Sequence, residues 1–144
     1  MDAFIPPLEH TTGVLHTLGL SNRAHDLIGA VKRGLPTHVF STLADALEVS
    51  DAALAELTGI SATTLTRRKR SGHLTSDESE CVVRVARLLE RATQVFGDIG
   101  DAAAWLKTPN LSLANLTPLN YADTEIGARE VENLLGRIAY GVYS

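Results

Sequence analysis

The sequence predicts an all-α fold, and two features of its pattern indicate this class. Apolar residues recur at intervals of three and four along several stretches, and most of these stretches begin at a capping residue and end at glycine or proline. The alternating pattern of a half-buried strand is absent from the sequence. A chain of 144 residues can bury a sizeable core without staples, and its single cysteine, Cys81, leaves no intrachain disulfide.

The charge of the chain is unevenly distributed. The net charge is −4, yet residues 61–76 carry four bases and no acid, whereas residues 37–60 carry four acids and no base. A basic segment inside an acidic chain is more informative about nucleic acid than the total charge. No apolar run approaches the ~20 residues of a membrane span, and the start of the chain lacks the basic region of a secretory signal. We therefore expect a cytoplasmic protein.

Residues 1–20 show no sustained period, and we expect a weakly structured leader there. The first predicted helix runs from a cap at Ser21 to about Lys32 and ends at Gly34-Leu35-Pro36. A second helix opens at Thr37. The residues predicted to face inward are Ala24, Leu27, Ile28 and Val31 on the first helix, and Val39, Phe40, Leu43, Ala44 and Leu47 on the second.

Two short helices, one after Ser50 and one after Ser61, meet at Thr58-Gly59-Ile60-Ser61 and predict a helix-turn-helix. Gly59 suits the left-handed conformation of such a corner, and Leu54, Leu57, Ile60 and Leu65 have the spacing of the wedge between the helices. The second helix then presents its first turn to base edges and its basic end to phosphates. The predicted DNA-binding residues are Ser61, Thr63, Thr66, Arg67, Arg68, Lys69 and Arg70.

The alternative is a helical hairpin in a core, with a solvated basic end. Arg68 also departs from the usual pattern, which has a second apolar residue at that position of the recognition helix. Its presence predicts a shortened recognition helix or one that is packed from elsewhere in the chain.

Three more helices are predicted in the second half of the chain. Thr75 and Glu78 form a capping box that opens a helix running to Phe96, and a short helix follows over 101–107. Residues 108–123 read as a loop, in which Thr117-Pro118 begins one turn. A final helix is capped by Asp123 or Thr124, and its apolar stripe consists of Val131, Leu134, Leu135, Ile138 and Ala139.

Catalytic and metal-binding patterns are missing from the sequence. The five histidines are scattered, and there is no HExxH, GxGxxG or GxxxxGK[ST] motif. We therefore predict no enzyme activity, no catalytic residue, no metal and no cofactor. Cys81 is interpreted as a small, partly buried apolar residue, and Trp105 as a core residue, with an interface anchor as the alternative.

The second half of the sequence carries a set of motifs that together are specific. They are Ala-x-x-Val-Phe-Gly at 92–97, Ala-x-x-Trp-Leu at 102–106, Thr-Pro-Asn at 108–110, Thr-Pro-Leu at 117–119, Thr124, Gly127, Leu-Gly-Arg-Ile at 135–138 and Gly-Val-Tyr at 141–143. This set resembles the Xre/MbcA/ParS-like toxin-binding domain of bacterial antitoxins. With the helix-turn-helix before it, the chain resembles the antitoxin of a RES–Xre toxin–antitoxin pair over roughly residues 40–144.

The resemblance implies a partner and a division of the chain. RES-type toxins have an ADP-ribosyltransferase-like fold and deplete NAD, and the antitoxin covers their active-site cleft, is typically dimeric and often represses its own operon. It implies a helix-turn-helix domain at 21–80 and a toxin-binding domain at 81–144. The expected partners are a RES-domain toxin, operator DNA and a second copy of the chain, for which the apolar surface of the last helices, Phe96 and Trp105 also argues.

The apolar residues at the end of the sequence fit an interface anchor, because tyrosine and arginine are enriched where binding energy concentrates. The predicted toxin-binding residues are Arg137, Tyr140, Val142, Tyr143 and Ser144. The alternative is that Val142 and Tyr143 pack beneath the helices of their own chain. A dimeric transcriptional regulator without a toxin partner is the second functional hypothesis.

Overall fold

The computed structural model describes residues 13–141, which are helical almost throughout. Within this range no β-strand occurs, and only two isolated bridges form, Pro36–His73 and Asn110–Leu116. The predicted all-α class is confirmed. The helices are α1 (Val14–Thr17), α2 (Ala24–Arg33), α3 (Thr37–Leu47), α4 (Asp51–Thr58), α5 (Ala62–Ser71), α6 (Ser76–Phe96), α7 (Ile99–Leu106), α8 (Pro118–Tyr121) and α9 (Glu125–Ala139), with a 3-10 turn at Leu111–Leu113.

Most predicted helix starts are confirmed by side-chain caps. The Thr75–Glu78 capping box is complete, because the Thr75 hydroxyl accepts from the Glu78 backbone and the Glu78 carboxylate accepts from the Thr75 backbone. Ser50, Ser61, Thr117 and Thr124 accept backbone hydrogen bonds in the same way at the starts of α4, α5, α8 and α9.

The start of α2 differs from the prediction. The helix begins at Ala24, with Arg23 in the capping position and no side-chain cap, so Ser21 was wrong as the N-cap. The Ser21 hydroxyl instead donates to Asp26 Oδ2 over 3.1 Å and accepts from the Arg23 backbone over 3.0 Å. Ile28 was also wrong as an inward residue, because 54% of it is exposed on the outer side of α2.

Helix α6 is the central element of the fold. It contacts α1, α2, α3, α4, α7 and α9, and its apolar side chains are fully buried at Val82, Leu88, Leu89 and Ala92. Polar bonds add to this packing: the Leu35 backbone donates to the buried Ser79 hydroxyl over 2.8 Å, and the Leu15 backbone donates to Glu90 Oε1 over 2.9 Å. Since α6 touches both the helices before it and those after it, it connects the two halves of the chain.

The segment after α6 is more ordered than a loop. Helix α7 begins at Ile99 with Asp98 as its cap, two residues before the predicted start at Asp101. Trp105 on α7 packs on Phe96 with ring centroids 5.6 Å apart, and both are only partly buried. The Asn110–Leu116 bridge closes the following turn, from which Leu111 projects with 89% of its surface exposed.

Helix α9 lies on α6 and is held close to α8. Its inner face buries Val131, Leu134 and Leu135. Gly127 lies where a Cβ atom would overlap the carbonyl oxygen of Tyr121 at the end of α8. A residue without a side chain therefore permits the close approach of the two helices at this point.

Candidate functional site

The corner between α4 and α5 has the geometry of a helix-turn-helix. Gly59 adopts a left-handed conformation with φ of 75°, which a residue without Cβ adopts most readily. The wedge between the helices contains Leu54, Ile60 and Leu65, all buried. Ser61 then caps α5, the recognition helix, by accepting from the Thr64 backbone over 3.1 Å.

The predicted DNA-binding residues do not all share the same availability. Within residues 13–141, the side chains of Thr63, Arg67 and Arg70 are exposed and form no hydrogen bond or ion pair. Two hydroxyls already have partners, because Ser61 donates to Thr64 Oγ1 and Thr66 donates to the Ala62 carbonyl. Thr63, Arg67 and Arg70 are therefore the residues best placed to contact another molecule.

Arg68 is bound inside the chain. Its Nε donates to Glu78 Oε1 over 2.8 Å, and only 20% of the Arg68 side chain and 14% of the Glu78 side chain are exposed. Burial raises the pKa of Glu78, but the hydrogen bonds from Arg68 and Thr75 outweigh it, so this pKa lies below its ordinary value of 4.5. Glu78 is thus ionised at neutral pH and connects α5 to the first turn of α6.

Lys69 is also paired, on another side of the recognition helix. Its Nζ donates to Asp51 Oδ2 over 2.6 Å, and the same oxygen accepts from the Ser41 hydroxyl over 2.8 Å. The hydrogen bond from Lys69 lowers the pKa of Asp51 below its ordinary value of 3.8, against the opposing effect of burial. Lys69 remains about half exposed, so a phosphate has to compete with Asp51 for its charge.

A second candidate surface lies at the end of α9. Arg137 is exposed, and Tyr140, directly after the helix, is 83% exposed. Together with Arg91, Glu132, Asn133 and Gly136, they line a shallow depression of about 490 Å³. Gly141 has a φ of 65°, as a left-handed helix terminus requires. The other predicted toxin-binding residues, Val142, Tyr143 and Ser144, lie outside the described residues, as do residues 1–12 of the predicted leader.

Sequence patterns alone did not identify some of the residues at these surfaces. Asp51 and Glu78 read only as helix-start residues, because nothing in the spacing shows that their carboxylates reach the recognition helix. Arg91 on α6 was not predicted to lie beside α9. Residues 13–141 contain no cluster of His, Cys, Asp or Glu side chains suited to a metal ion, and none of their helices is long and apolar enough to cross a bilayer.

Two family models match the chain and together cover most of it. The antitoxin Xre-like helix-turn-helix domain matches residues 26–87, and the antitoxin Xre/MbcA/ParS C-terminal toxin-binding domain matches residues 83–141. The two matches meet within α6. The first therefore contains the α4–α5 corner, and the second contains α7, α8 and α9.

Curated relatives carry the same features over their whole length. An Antitoxin Xre of Yersinia enterocolitica is 34% identical over 148 residues, which is 100% of both chains. An Antitoxin Xre of Photorhabdus laumondii is 32% identical over 89% of this chain and 88% of the relative. A protein of Sphingobium named Prs ADP-ribosylating antitoxin is 22% identical over 83% of this chain and 81% of its own.

Proposed function

Because the chain belongs to the Xre antitoxin family and carries both its helix-turn-helix and its toxin-binding domain, we propose that it neutralises a RES-type toxin that depletes NAD. In this proposal the toxin is bound by the end of α9 and the residues after it, namely Arg137, Tyr140, Val142, Tyr143 and Ser144. The same chain, as a homodimer, binds its own operator through α5 and represses the operon that encodes the pair.

The observation that carries the toxin contact is the exposure of Tyr140 beside Arg137. An exposed tyrosine next to a guanidinium, at the rim of a depression, has the chemistry of an interface anchor. The tyrosine supplies apolar area with little loss of side-chain entropy, and arginine supplies fixed donors for a carboxylate or phosphate. Both residues lie in the part of the chain that matches the toxin-binding domain.

The test is co-expression with the reading frame next to the antitoxin gene, followed by co-purification and measurement of cellular NAD. We expect the neighbouring protein alone to lower NAD and arrest growth, and the wild-type chain to restore both. The double variant Arg137→Ala/Tyr140→Ala should restore them poorly, whereas Glu130→Ala, an exposed change on the same helix, should act as the wild type. If no neighbouring protein is toxic or co-purifies, a dimeric regulator without a toxin becomes the better account.

One comparison favours a second candidate for the toxin's reaction. Because a relative is named Prs ADP-ribosylating antitoxin, the cognate toxin is alternatively one that transfers ADP-ribose from NAD to a protein. Radiolabelled NAD separates the two: labelled protein indicates transfer, and loss of NAD without labelled protein indicates the RES-type reaction. The antitoxin alone, incubated with NAD, should produce neither result, because we propose that it has no enzyme activity.

A further inference from the structure

The recognition helix has little apolar contact with the rest of the protein. Of the ten residues of α5, all of which the structure describes, Leu65 alone is buried. Two anchors, three or four residues apart, are needed to fix both the position and the rotation of a short helix. The second position on the Leu65 face, three residues later, is occupied by Arg68.

Arg68 supplies that second anchor by charge instead of by apolar packing. Its side chain turns away from the exposed surface of α5 and reaches Glu78, where both side chains are largely buried. The oxygen it contacts, Oε1, also accepts from the Thr75 backbone over 2.9 Å, so a single atom joins the recognition helix to the start of α6. Breaking this pair would leave the Glu78 carboxylate desolvated and without its cation, which is costly.

We propose that Arg68 is a positioning residue that fixes the orientation of the recognition helix for base reading through Glu78, and that it does not contact DNA phosphates. The proposal rests on the proposed function of α5 in operator binding. The charge that reaches DNA then comes from Arg67 and Arg70, both exposed and unpaired within residues 13–141.

The experiment measures two quantities that separate positioning from phosphate binding. One is the ratio of affinity for a labelled duplex from the promoter of the antitoxin's own operon to affinity for a scrambled duplex of equal composition. The other is the slope of log affinity against log KCl, which becomes shallower by about 0.9 for each phosphate that the protein no longer neutralises. Both are measured by fluorescence anisotropy, on the antitoxin alone or in complex with its toxin, at a temperature where circular dichroism shows every variant folded.

Three variants provide the comparison. Arg68→Met has similar length and an apolar end, so it can fill the position at which an apolar anchor is usual. Glu78→Gln retains the capping box but removes the partner charge of Arg68. Arg70→Met is the matched control on the exposed side of the same helix.

We expect Arg68→Met to lower the specificity ratio about tenfold, because this substitution removes a hydrogen bond to a charged group, with the salt slope unchanged. Glu78→Gln should lower the ratio in the same direction and decides the question if Arg68→Met does not fold. Arg70→Met should weaken binding to both duplexes and flatten the slope.

Two results would overturn the role of Arg68 alone. Equally weakened binding to both duplexes with a shallower slope in Arg68→Met, or tighter binding by Glu78→Gln, would show that Arg68 contacts phosphates. An unchanged ratio and slope, with only a lower melting temperature, would show that the pair merely stabilises the fold. By contrast, a wild-type chain that fails to distinguish the duplexes, both alone and in complex, would refute operator binding itself.

Discussion

The Nζ of Lys69 lies 2.6 Å from Oδ2 of Asp51, an oxygen that also accepts a hydrogen bond from Ser41. This oxygen joins α3, α4 and α5, so the acidic and basic segments of the sequence meet inside the helix-turn-helix. Part of the positive charge of the recognition helix is therefore balanced within the protein. Binding of Lys69 to a phosphate would require this pair to open.

The first prediction concerns stability in acid. Both Asp51 and Glu78 have pKa values below their ordinary values of 3.8 and 4.5 in the folded protein. The unfolded chain therefore takes up protons first as the pH falls, so the stability contributed by these groups is present above about pH 5 and is lost as the pH falls through their folded pKa values.

We expect the double variant Asp51→Asn/Glu78→Gln to be less stable than the wild type at pH 6.5, with a difference that shrinks as the pH is lowered to 3.5. Urea denaturation followed by circular dichroism at several pH values measures this difference. A difference that stays constant over this range would mean that the two ion pairs do not stabilise the fold.

The second prediction concerns the two free arginines of α5. If Arg67 contacts a guanine edge, Arg67→Ala should cost about 1–3 kcal/mol on the operator and relax the base preference at one position. If Arg70 contacts a phosphate, Arg70→Ala should weaken binding to all sequences and reduce the salt slope by about one. Arg33→Ala, an exposed base on α2, is the control and should leave both quantities unchanged. Wild-type affinity in an Arg67→Ala/Arg70→Ala double variant would exclude α5 as the DNA-binding element.

The third prediction concerns the junction of α8 and α9. Gly127→Ala should destabilise the protein by about 1–3 kcal/mol, because the new methyl group overlaps the Tyr121 carbonyl. Gly136→Ala, on the same helix, is the matched control: its Cβ would lie 3.7 Å from Arg91 Nη2, an ordinary contact, and alanine favours a helix by about 1 kcal/mol over glycine. Thermal melting should therefore shift in opposite directions for the two variants, and equal shifts would contradict the close approach of these helices.

The sequence predicted the elements whose signals are local. Caps such as Thr75 and Ser61 satisfy backbone donors within three residues, and the inward face of α3 follows from its period alone, so both were found without the structure. The α4–α5 corner was found because Gly59 and the wedge lie within a short stretch of the chain.

Contacts between distant segments could not be predicted in the same way. The bonds of Arg68 to Glu78 and of Lys69 to Asp51 join residues 10 and 18 positions apart, and the depression beside Arg137 depends on Arg91 from another helix. Ile28 has the spacing of a core residue, but its side of α2 has no neighbour to cover it. The division of the chain near residue 80 stays a prediction, and α6 continues through that position without a break.

The central claim is that the residues after α9 inhibit a toxin, and a chain ending at Ala139 tests it most directly. This variant retains the buried residues Val131, Leu134 and Leu135, so it should fold, dimerise and bind the operator as the wild type does. The measurement is cellular NAD and growth when the toxin is induced together with either form of the antitoxin. We predict that the full chain preserves NAD and growth and that the shortened chain, present at equal level, preserves neither. Full protection by the shortened chain would place the inhibitory contact elsewhere and contradict the account, and failure of the purified variant to fold would show that these residues belong to the protein's own core.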